Sequence, residues 1–349
     1  MRGYFAIAGD RLVAYDLESG TQEWIVDAAM TSAPAAGGGS IFLAQDNTLT
    51  TLEAADGSVA WKATLDEALA VPPVWHAGWL LIGTTNGSVM AVRSSDGDII
   101  WRRDLGSPAH AQPAIAGNRV YVPLNDHRVV ALNVESGQPI WERRLGGAPN
   151  EVLAVDTQLF VGSTDNFLYC LKAVDGTVDW RWRTGADVRG LPAVDEQRVY
   201  FVSLDNVLRA LNRSNGVQQW IQMLRLRPTS GPLRAGGTIV VAGVQPPLRA
   251  FNSKDGAAAG DIPAPGEIAA PPHLVVNPED DQPLVVIVTR DIAKGATVTL
   301  VGRSYEPPAA PFTTLPNAIA TVPALPQSPQ APSGSTAIAR TSSGTRPAR

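Results

Sequence analysis

The strongest constraint on the fold of this chain is a glycine that recurs about every 40 residues. The copies are Gly20, Gly57, Gly97, Gly137, Gly176, Gly216 and Gly256. Four residues after each of the first six stands a tryptophan, namely Trp24, Trp61, Trp101, Trp141, Trp180 and Trp220. The seventh copy has Gly260 at that place. Self-similarity at a fixed period of this length predicts a repeat architecture.

Two further positions keep the same phase. A small residue stands six places before each glycine, as Ala14, Thr51, Ala91, Ala131, Cys170, Ala210 and Ala250, and a large apolar residue follows it. The residue directly before the glycine is Ser, Asp or Asn. That pair indicates a hairpin turn, because glycine adopts a positive φ without a Cβ clash.

Each unit contains four short apolar segments separated by turn residues. In residues 109–146 the segments are 111–115, 120–122, 129–133 and 139–143. The same plan fits 30–64, 70–105, 150–184, 188–222 and 229–262. The apolar period near two and the prolines inside units exclude a helical solenoid. Four-stranded antiparallel sheets that stack radially bury both faces, so we expect a β-propeller.

The spacing of alanine, glycine and tryptophan also resembles a known family. The segments 131–141 and 91–101 both read Ala-x₅-Gly-x₃-Trp, which is similar to the pyrroloquinoline-quinone (PQQ) type repeat. The resemblance covers residues 3–262. It implies that the six repeat tryptophans dock across neighbouring blades as structural residues. A large flat ring lies well against a small neighbour, and a buried indole N–H needs an acceptor.

The two ends of the repeat array are incomplete. Residues 3–27 align with the second to fourth strands of a unit, whereas 268–276, 284–289 and 296–302 resemble three strands without a fourth. We expect eight blades within a propeller domain of residues 1–305. The alternative is a seven-bladed ring, in which 268–276 supplies the missing inner strand of the first blade.

The sequence also leads to one expectation about each terminus of the chain. The missing first strand suggests that the natural N-terminus lies upstream, where an export signal or lipid anchor could also lie. Residues 306–349 contain nine prolines with many Ala, Ser and Thr and no periodicity. Such a composition is typical of a disordered tail.

Charge and composition exclude several classes of partner. The net charge is −5, and an acidic body argues against general binding to nucleic acid. No stretch approaches 18 consecutive apolar residues, so no transmembrane span is expected. The single cysteine, Cys170, cannot form an internal disulfide. It occupies the small-residue position of its repeat, which predicts a buried packing role.

Motifs of catalysis are absent from the sequence. There is no nucleophile elbow, P-loop, dinucleotide fingerprint, His-Glu-x-x-His or EF-hand, and the four histidines fall in different units. Acidic turns recur at Asp46-Asn47, Asn125-Asp126, Asp165-Asn166 and Asp205-Asn206. A ring of carboxylates could bind cations, but turn chemistry explains them more simply. The resemblance implies calcium, a catalytic Asp and often a cysteine pair in PQQ enzymes. This chain lacks the pair, so we expect neither enzyme nor cofactor.

Candidate binding residues lie in the loops that enter each inner strand, because functional residues favour such loops on rigid scaffolds. They are His110, Asn150, Glu151, Arg189, Arg225 and Arg227. The loop from Met223 to Gly231 is the longest and most basic, and its two arginines could grip a carboxylate.

The repeat is also similar to the BamB-type propellers of the outer-membrane assembly machinery. That resemblance implies a monomeric, non-enzymatic scaffold that binds a protein partner in the periplasm or cell envelope. The alternative is a quinoprotein oxidoreductase that uses PQQ and calcium, and a small-ligand or sensor module also remains open.

Overall fold

The computed structural model describes residues 2–7, 10–16, 19, 21–264, 266–276, 283–291 and 295–304. The tail expected over residues 306–349 lies outside these ranges. All regular elements within them are β-strands. No helix in the described part of the chain has the length and apolar character of a membrane span.

Six sheets each contain four consecutive strands. The first three comprise β4 (Ala35–Gly37), β5 (Ser40–Gln45), β6 (Thr48–Glu53) and β7 (Val59–Thr64); β8 (Val74–His76), β9 (Trp79–Gly83), β10 (Ser88–Arg93) and β11 (Ile99–Asp104); and β12 (Ala114–Ala116), β13 (Arg119–Pro123), β14 (Arg128–Asn133) and β15 (Pro139–Arg144). The next three comprise β16 (Pro149–Val155), β17 (Gln158–Ser163), β18 (Phe167–Lys172) and β19 (Val178–Arg183); β20 (Val188–Val194), β21 (Arg198–Ser203), β22 (Val207–Asn212) and β23 (Gln218–Met223); and β24 (Leu233–Ala235), β25 (Thr238–Val241), β26 (Leu248–Asn252) and β27 (Ala258–Ile262).

The two end sheets differ from this plan. The N-terminal sheet has three strands, β1 (Arg2–Ile7), β2 (Arg11–Asp16) and β3 (Gln22–Asp27). The C-terminal sheet has four, β28 (Glu267–Ile268), β29 (His273–Val276), β30 (Pro283–Asp291) and β31 (Gly295–Ser304). In it, β28 and β29 follow each other along one edge of β30, and β31 pairs with the other edge.

The expectation of eight four-stranded blades is therefore wrong. Seven sheets of the described chain have four strands, which favours the seven-bladed alternative. Pairing explains the difference, because β1 is hydrogen-bonded only to β2 among the described strands and the N-terminal sheet gains no inner strand. Residues 273–276 do not fill that place as the alternative supposed, since they pair with β30.

Sheets that follow each other in the chain are also neighbours in space. Inner strands of consecutive sheets contact each other, as β12 does β16, β16 does β20 and β20 does β24. The middle strands are buried on both faces, and all five residues of β9 are inaccessible. Outer strands such as β15 mostly alternate between exposed and half-buried residues, because successive side chains of a strand point to opposite faces. This radial stack of antiparallel blades confirms the predicted propeller architecture.

The hydrophobic core lies between the sheets, so each interface has its own cluster. In one cluster, Phe160, Leu168 and Cys170 of one blade pack against Val199 and Phe201 of the next. Six predicted hairpin turns between third and fourth strands lie in the described residues, and their glycines have positive φ, as in Gly137 at 64°; Gly20 lies outside those residues.

Candidate functional site

The repeat tryptophans are used within the scaffold. Each pairs across its own sheet with the small residue of the repeat, as Trp141 does with Ala131, and a register shift follows directly. Each indole N–H then donates to a carbonyl of the next sheet. The six bonds run from Trp24 to Ala54 (3.3 Å), Trp61 to Ser94 (3.1 Å), Trp101 to Val134 (2.7 Å), Trp141 to Ala173 (3.0 Å), Trp180 to Arg213 (3.1 Å) and Trp220 to Ser253 (3.1 Å).

The other candidates lie at the opposite end of the sheets. We call this end the connection face, because it carries the segments that lead from an outer strand to the next inner strand, among them 28–34, 65–73, 105–113, 145–148, 184–187 and the basic loop, 224–232. The basic loop is not the longest of them as expected, because 65–73 and 105–113 also have nine residues. The turns between second and third strands lie at the same end, since strand direction alternates. Isolated bridges join the two sets of loops, as between Ala109 and Leu124 and between Pro228 and Gly243.

The acidic turns on the connection face are bonded within their own sheets. Arg128 Nε donates to Asp126 Oδ2 at 2.7 Å, and the Tyr169 hydroxyl donates to Asp165 Oδ2 at 2.5 Å. Several residues in these turns have positive φ, including Asp46 at 52°. The carboxylates of Asp126 and Asp165 thus serve the sheets that carry them.

Asp205 is the most strongly held of these acids. Its carboxylate accepts hydrogen bonds from Arg209 at 2.6 Å, from Ser203 at 2.5 Å and from the Gly185 amide at 3.0 Å. Burial acts to raise the pKa of Asp205, but these hydrogen bonds outweigh it and lower that pKa to about 2. Asp205 therefore ties a connection segment to a turn and to a strand.

Two of the six predicted binding residues have internal partners. His110 Nδ1 lies 2.5 Å from Asn125 Oδ1, within its own sheet. Asn150 Nδ2 donates to the Val188 carbonyl at 2.7 Å and so joins β16 to β20. Both side chains therefore have a structural use on the connection face.

The side chains of Glu151 and Arg189 make no hydrogen bond or ion pair with the described residues. Glu151 is half-buried in a bulge of β16, and Arg189 is exposed at the start of a larger bulge in β20. In that bulge the three residues after Arg189 lie opposite Phe201 alone. A bulge re-aims side chains and is common beside functional sites.

The bulge of β20 brings two predicted loops together. A Cβ on Gly190 would lie 2.0 Å from the backbone nitrogen of Gly231, and one on Gly231 would lie 1.9 Å from the carbonyl oxygen of Leu191. Only glycines allow this approach. It places the segment that carries Arg189 against the end of the basic loop.

The basic loop forms one wall of a groove of about 300 Å³. Arg225, Leu226 and Arg227 line one side, and the other side is formed by Val244, Gln245, Pro246, Pro247 and Arg249. Arg249 Nε is paired with Asp261 at 2.8 Å. Arg225 and Arg227 are exposed and have no acidic partner among the described residues.

The second wall of this groove was not predicted. Where four of the other sheets have an Asx turn, residues 245–247 read Gln-Pro-Pro. That departure from the repeat is visible in the sequence and could have identified the site. Within that wall, Gln245 Nε2 donates a hydrogen bond to Glu267 Oε1 at 3.1 Å.

The described residues do not fit a PQQ and calcium site. They contain no group of three His, Cys, Asp or Glu side chains that could hold a metal ion. Cys170 lies in the core, where burial raises the pKa of its thiol to about 12. A protonated thiol is a poor nucleophile and metal ligand, so Cys170 acts as a packing residue.

Comparison with known proteins agrees with the repeat analysis. The family model described as outer membrane protein assembly factor BamB matches residues 67–157 and 142–270, more than half of the chain. The outer membrane protein assembly factor BamB of Yersinia pestis is 32% identical over 97 residues. That alignment spans 26% of this chain and 25% of the relative, about a quarter of each.

Solved structures are similar in fold at low identity. BamB from Moraxella catarrhalis superimposes with a TM-score of 0.68 and 18% identity over 85% of this chain and 95% of the other. Quinohemoprotein alcohol dehydrogenase from Comamonas testosteroni gives 0.68 and 12% identity over 82% of this chain and 69% of the other. Since the fold is common to both, these structures do not separate scaffold from enzyme.

Proposed function

Because the chain belongs to the BamB family of PQQ-type propellers, we propose that it is a non-enzymatic scaffold in outer-membrane protein assembly. It works in the bacterial cell envelope and binds a protein partner through the connection face. The family match supports the assembly role, and the predicted binding residues supply the surface.

One observation carries the choice of surface. Glu151, Arg189, Arg225 and Arg227 have no partners among the described residues, whereas the acidic turns beside them are internally bonded. Leu191 is 47% exposed and Met223 is 69% exposed near these charges. Arginine and large apolar side chains are the residues that most often dominate binding energy at protein interfaces.

Co-purification tests the proposal. The tagged full-length protein is expressed in its native host, and proteins of the outer-membrane assembly machinery are quantified by mass spectrometry after cross-linking. We expect the wild type to recover them and Glu151→Ala/Arg189→Ala to recover several-fold less. The control is Lys254→Ala/Glu196→Ala, which removes one exposed charge of each sign at the opposite end of the sheets. Failure of the wild type to enrich any assembly protein would contradict the proposed function.

A further inference from the structure

We propose that the groove between residues 225–227 and 244–249 binds an acidic segment of the protein partner, in which carboxylates flank an aliphatic side chain. The inference deepens the proposed function and rests on it. It assigns a chemistry to one part of the connection face.

Charge is the first reason. Several other arginines at this end of the sheets are paired with acids: Arg102 with Glu67 and Asp66, Arg128 with Asp126 and Glu142, and Arg209 with Asp205. Arg225 and Arg227 have no such partner in the described chain, although the protein as a whole carries a net charge of −5. Their guanidinium groups therefore remain available to a carboxylate from outside, which arginine binds with two parallel hydrogen bonds.

The backbone that carries these arginines is held in place. The Leu224 amide donates to the Asn206 carbonyl at 2.8 Å, and the Thr229 amide donates to the Ala242 carbonyl at 3.2 Å. Between them, Gly243 lies so close that a Cβ there would be 2.9 Å from the Arg227 carbonyl oxygen. A loop fixed at both ends loses little freedom when it binds, so its charges are already positioned.

The walls of the groove are the reason to expect an aliphatic side chain in the bound segment of the partner. Leu226, Val244, Pro246 and Pro247 give it apolar sides, and Val244 is 48% exposed. The volume of about 300 Å³ is at the lower end of ligand sites and accommodates one or two side chains. A groove with apolar walls and the two cationic side chains of Arg225 and Arg227 therefore matches a peptide in which acidic and aliphatic residues alternate.

Fluorescence anisotropy with defined peptides tests this inference. The probe is a fluorescein-labelled peptide GSELELSG, and its counterpart GSQLQLSG has the same shape without the charges. We expect the wild type to bind the glutamate peptide about tenfold more tightly at low salt, because two charge-assisted pairs form. Arg225→Gln/Arg227→Gln is expected to lose this preference.

A matched control separates the groove from general electrostatics. Arg181 and Arg183 have the same spacing on outer strand β19 and are exposed. Arg181→Gln/Arg183→Gln therefore removes equal charge and is expected to keep the preference. Thermal melts of both double variants check folding. Arg225→Glu/Arg227→Glu gives an independent test, since it should prefer the lysine peptide GSKLKLSG.

Three results would overturn the inference. The first is equal affinity of the wild type for the glutamate and glutamine peptides. The second is that the control variant loses its preference for the glutamate peptide as fully as Arg225→Gln/Arg227→Gln does. The third is binding to phosphatidylglycerol vesicles that depends on Arg225 and Arg227 as strongly as peptide binding does. Co-purification distinguishes the two proposals. If Arg225→Gln/Arg227→Gln recovers as much assembly protein as the wild type, the inference about the groove is wrong while the proposed function stands.

Discussion

The side chain of Trp141 couples two blades through two different contacts. Its N–H bonds the Ala173 carbonyl, and its ring covers Gly176, whose φ is 69°. A Cβ on that glycine would lie 2.5 Å from the indole. The recurring glycine thus serves both the hairpin turn and the docked ring, which explains why glycine and tryptophan recur together.

Removal of this indole should weaken the interface between the two blades. We expect Trp141→Ala to lower the free energy of unfolding by about 3 kcal/mol, since the hydrogen bond and the packing are both lost. Trp141→Phe keeps most of the packing and should cost less. Denaturant unfolding followed by circular dichroism measures both, and an unchanged midpoint in Trp141→Ala would contradict the docking role.

Asp205 should make stability depend on pH. Its folded pKa of about 2 lies below the unfolded value of about 3.9, so its stabilisation is present above that unfolded value and is lost as pH falls toward 2. Asp205→Asn should be less stable than the wild type at pH 7, by about 2 kcal/mol, and the difference should shrink between pH 4 and pH 2. Urea unfolding across this range measures it.

The control for that experiment is Glu196→Gln. Glu196 is exposed and its side chain makes no hydrogen bond or ion pair with the described residues, so this substitution removes one carboxylate without breaking a contact. A difference between wild type and Asp205→Asn that stays constant down to pH 2 would count against the assigned pKa shift.

At the scale of elements, the inner strands β16 and β20 depart from the regular blade plan. Both are seven residues long and bulged, whereas β12 and β24 have three residues each. The close approach of Gly190 and Gly231 joins the bulge of β20 to the basic loop. Five of the six predicted binding residues therefore lie where the repeat is least regular, and His110 is the exception.

Gly231→Ala tests this junction. Its new methyl group would overlap the Leu191 carbonyl, so the basic loop must move. We expect this movement to lower the free energy of unfolding by about 1–3 kcal/mol. Gly106→Ala is the comparison, because its Cβ would meet nothing within 4 Å and only the positive φ of 72° is strained. We expect Gly231→Ala alone to weaken binding of the glutamate peptide. Equal binding by the two variants would show that the junction does not position the arginines.

At the scale of the whole molecule, tryptophan docking runs in one direction along the chain. Each of six sheets donates an indole to the next, and the series ends where Gly260 replaces the tryptophan of β27. A Cβ on Gly260 would contact nothing, so β27 and the C-terminal sheet have no such coupling. The two sheets are joined instead by apolar packing that includes Val240, Leu248 and Ile287, and by the hydrogen bond from Gln245 to Glu267.

The scaffold proposal also predicts the response of the whole protein to PQQ and calcium. A ligand that binds only the folded state raises the melting midpoint by mass action. Because the described residues contain no metal-ligand cluster, we expect no shift in a thermal melt at saturating PQQ with calcium. A clear rise would favour the quinoprotein alternative and require dehydrogenase assays.

Local patterns predicted the blade interior well. The repeat unit predicted over residues 109–146 has strands at Ala114–Ala116, Arg119–Pro123, Arg128–Asn133 and Pro139–Arg144, close to the expected segments. The first strand begins later than expected because Pro113 cannot donate to the ladder. Strand existence, turn positions and tryptophan pairing follow from short-range alternation and turn chemistry, which the sequence displays directly.

The sequence by itself therefore determined the repeat, the four-strand blade and the family. Only the tertiary structure decided which sheets are complete, which charged side chains are already paired and which residues face Arg225 and Arg227 across the groove. These properties depend on contacts between separate segments of the chain, such as Gly190 with Gly231 or the basic loop with residues 244–249. No periodic pattern encodes them, because they arise where the repeat is interrupted.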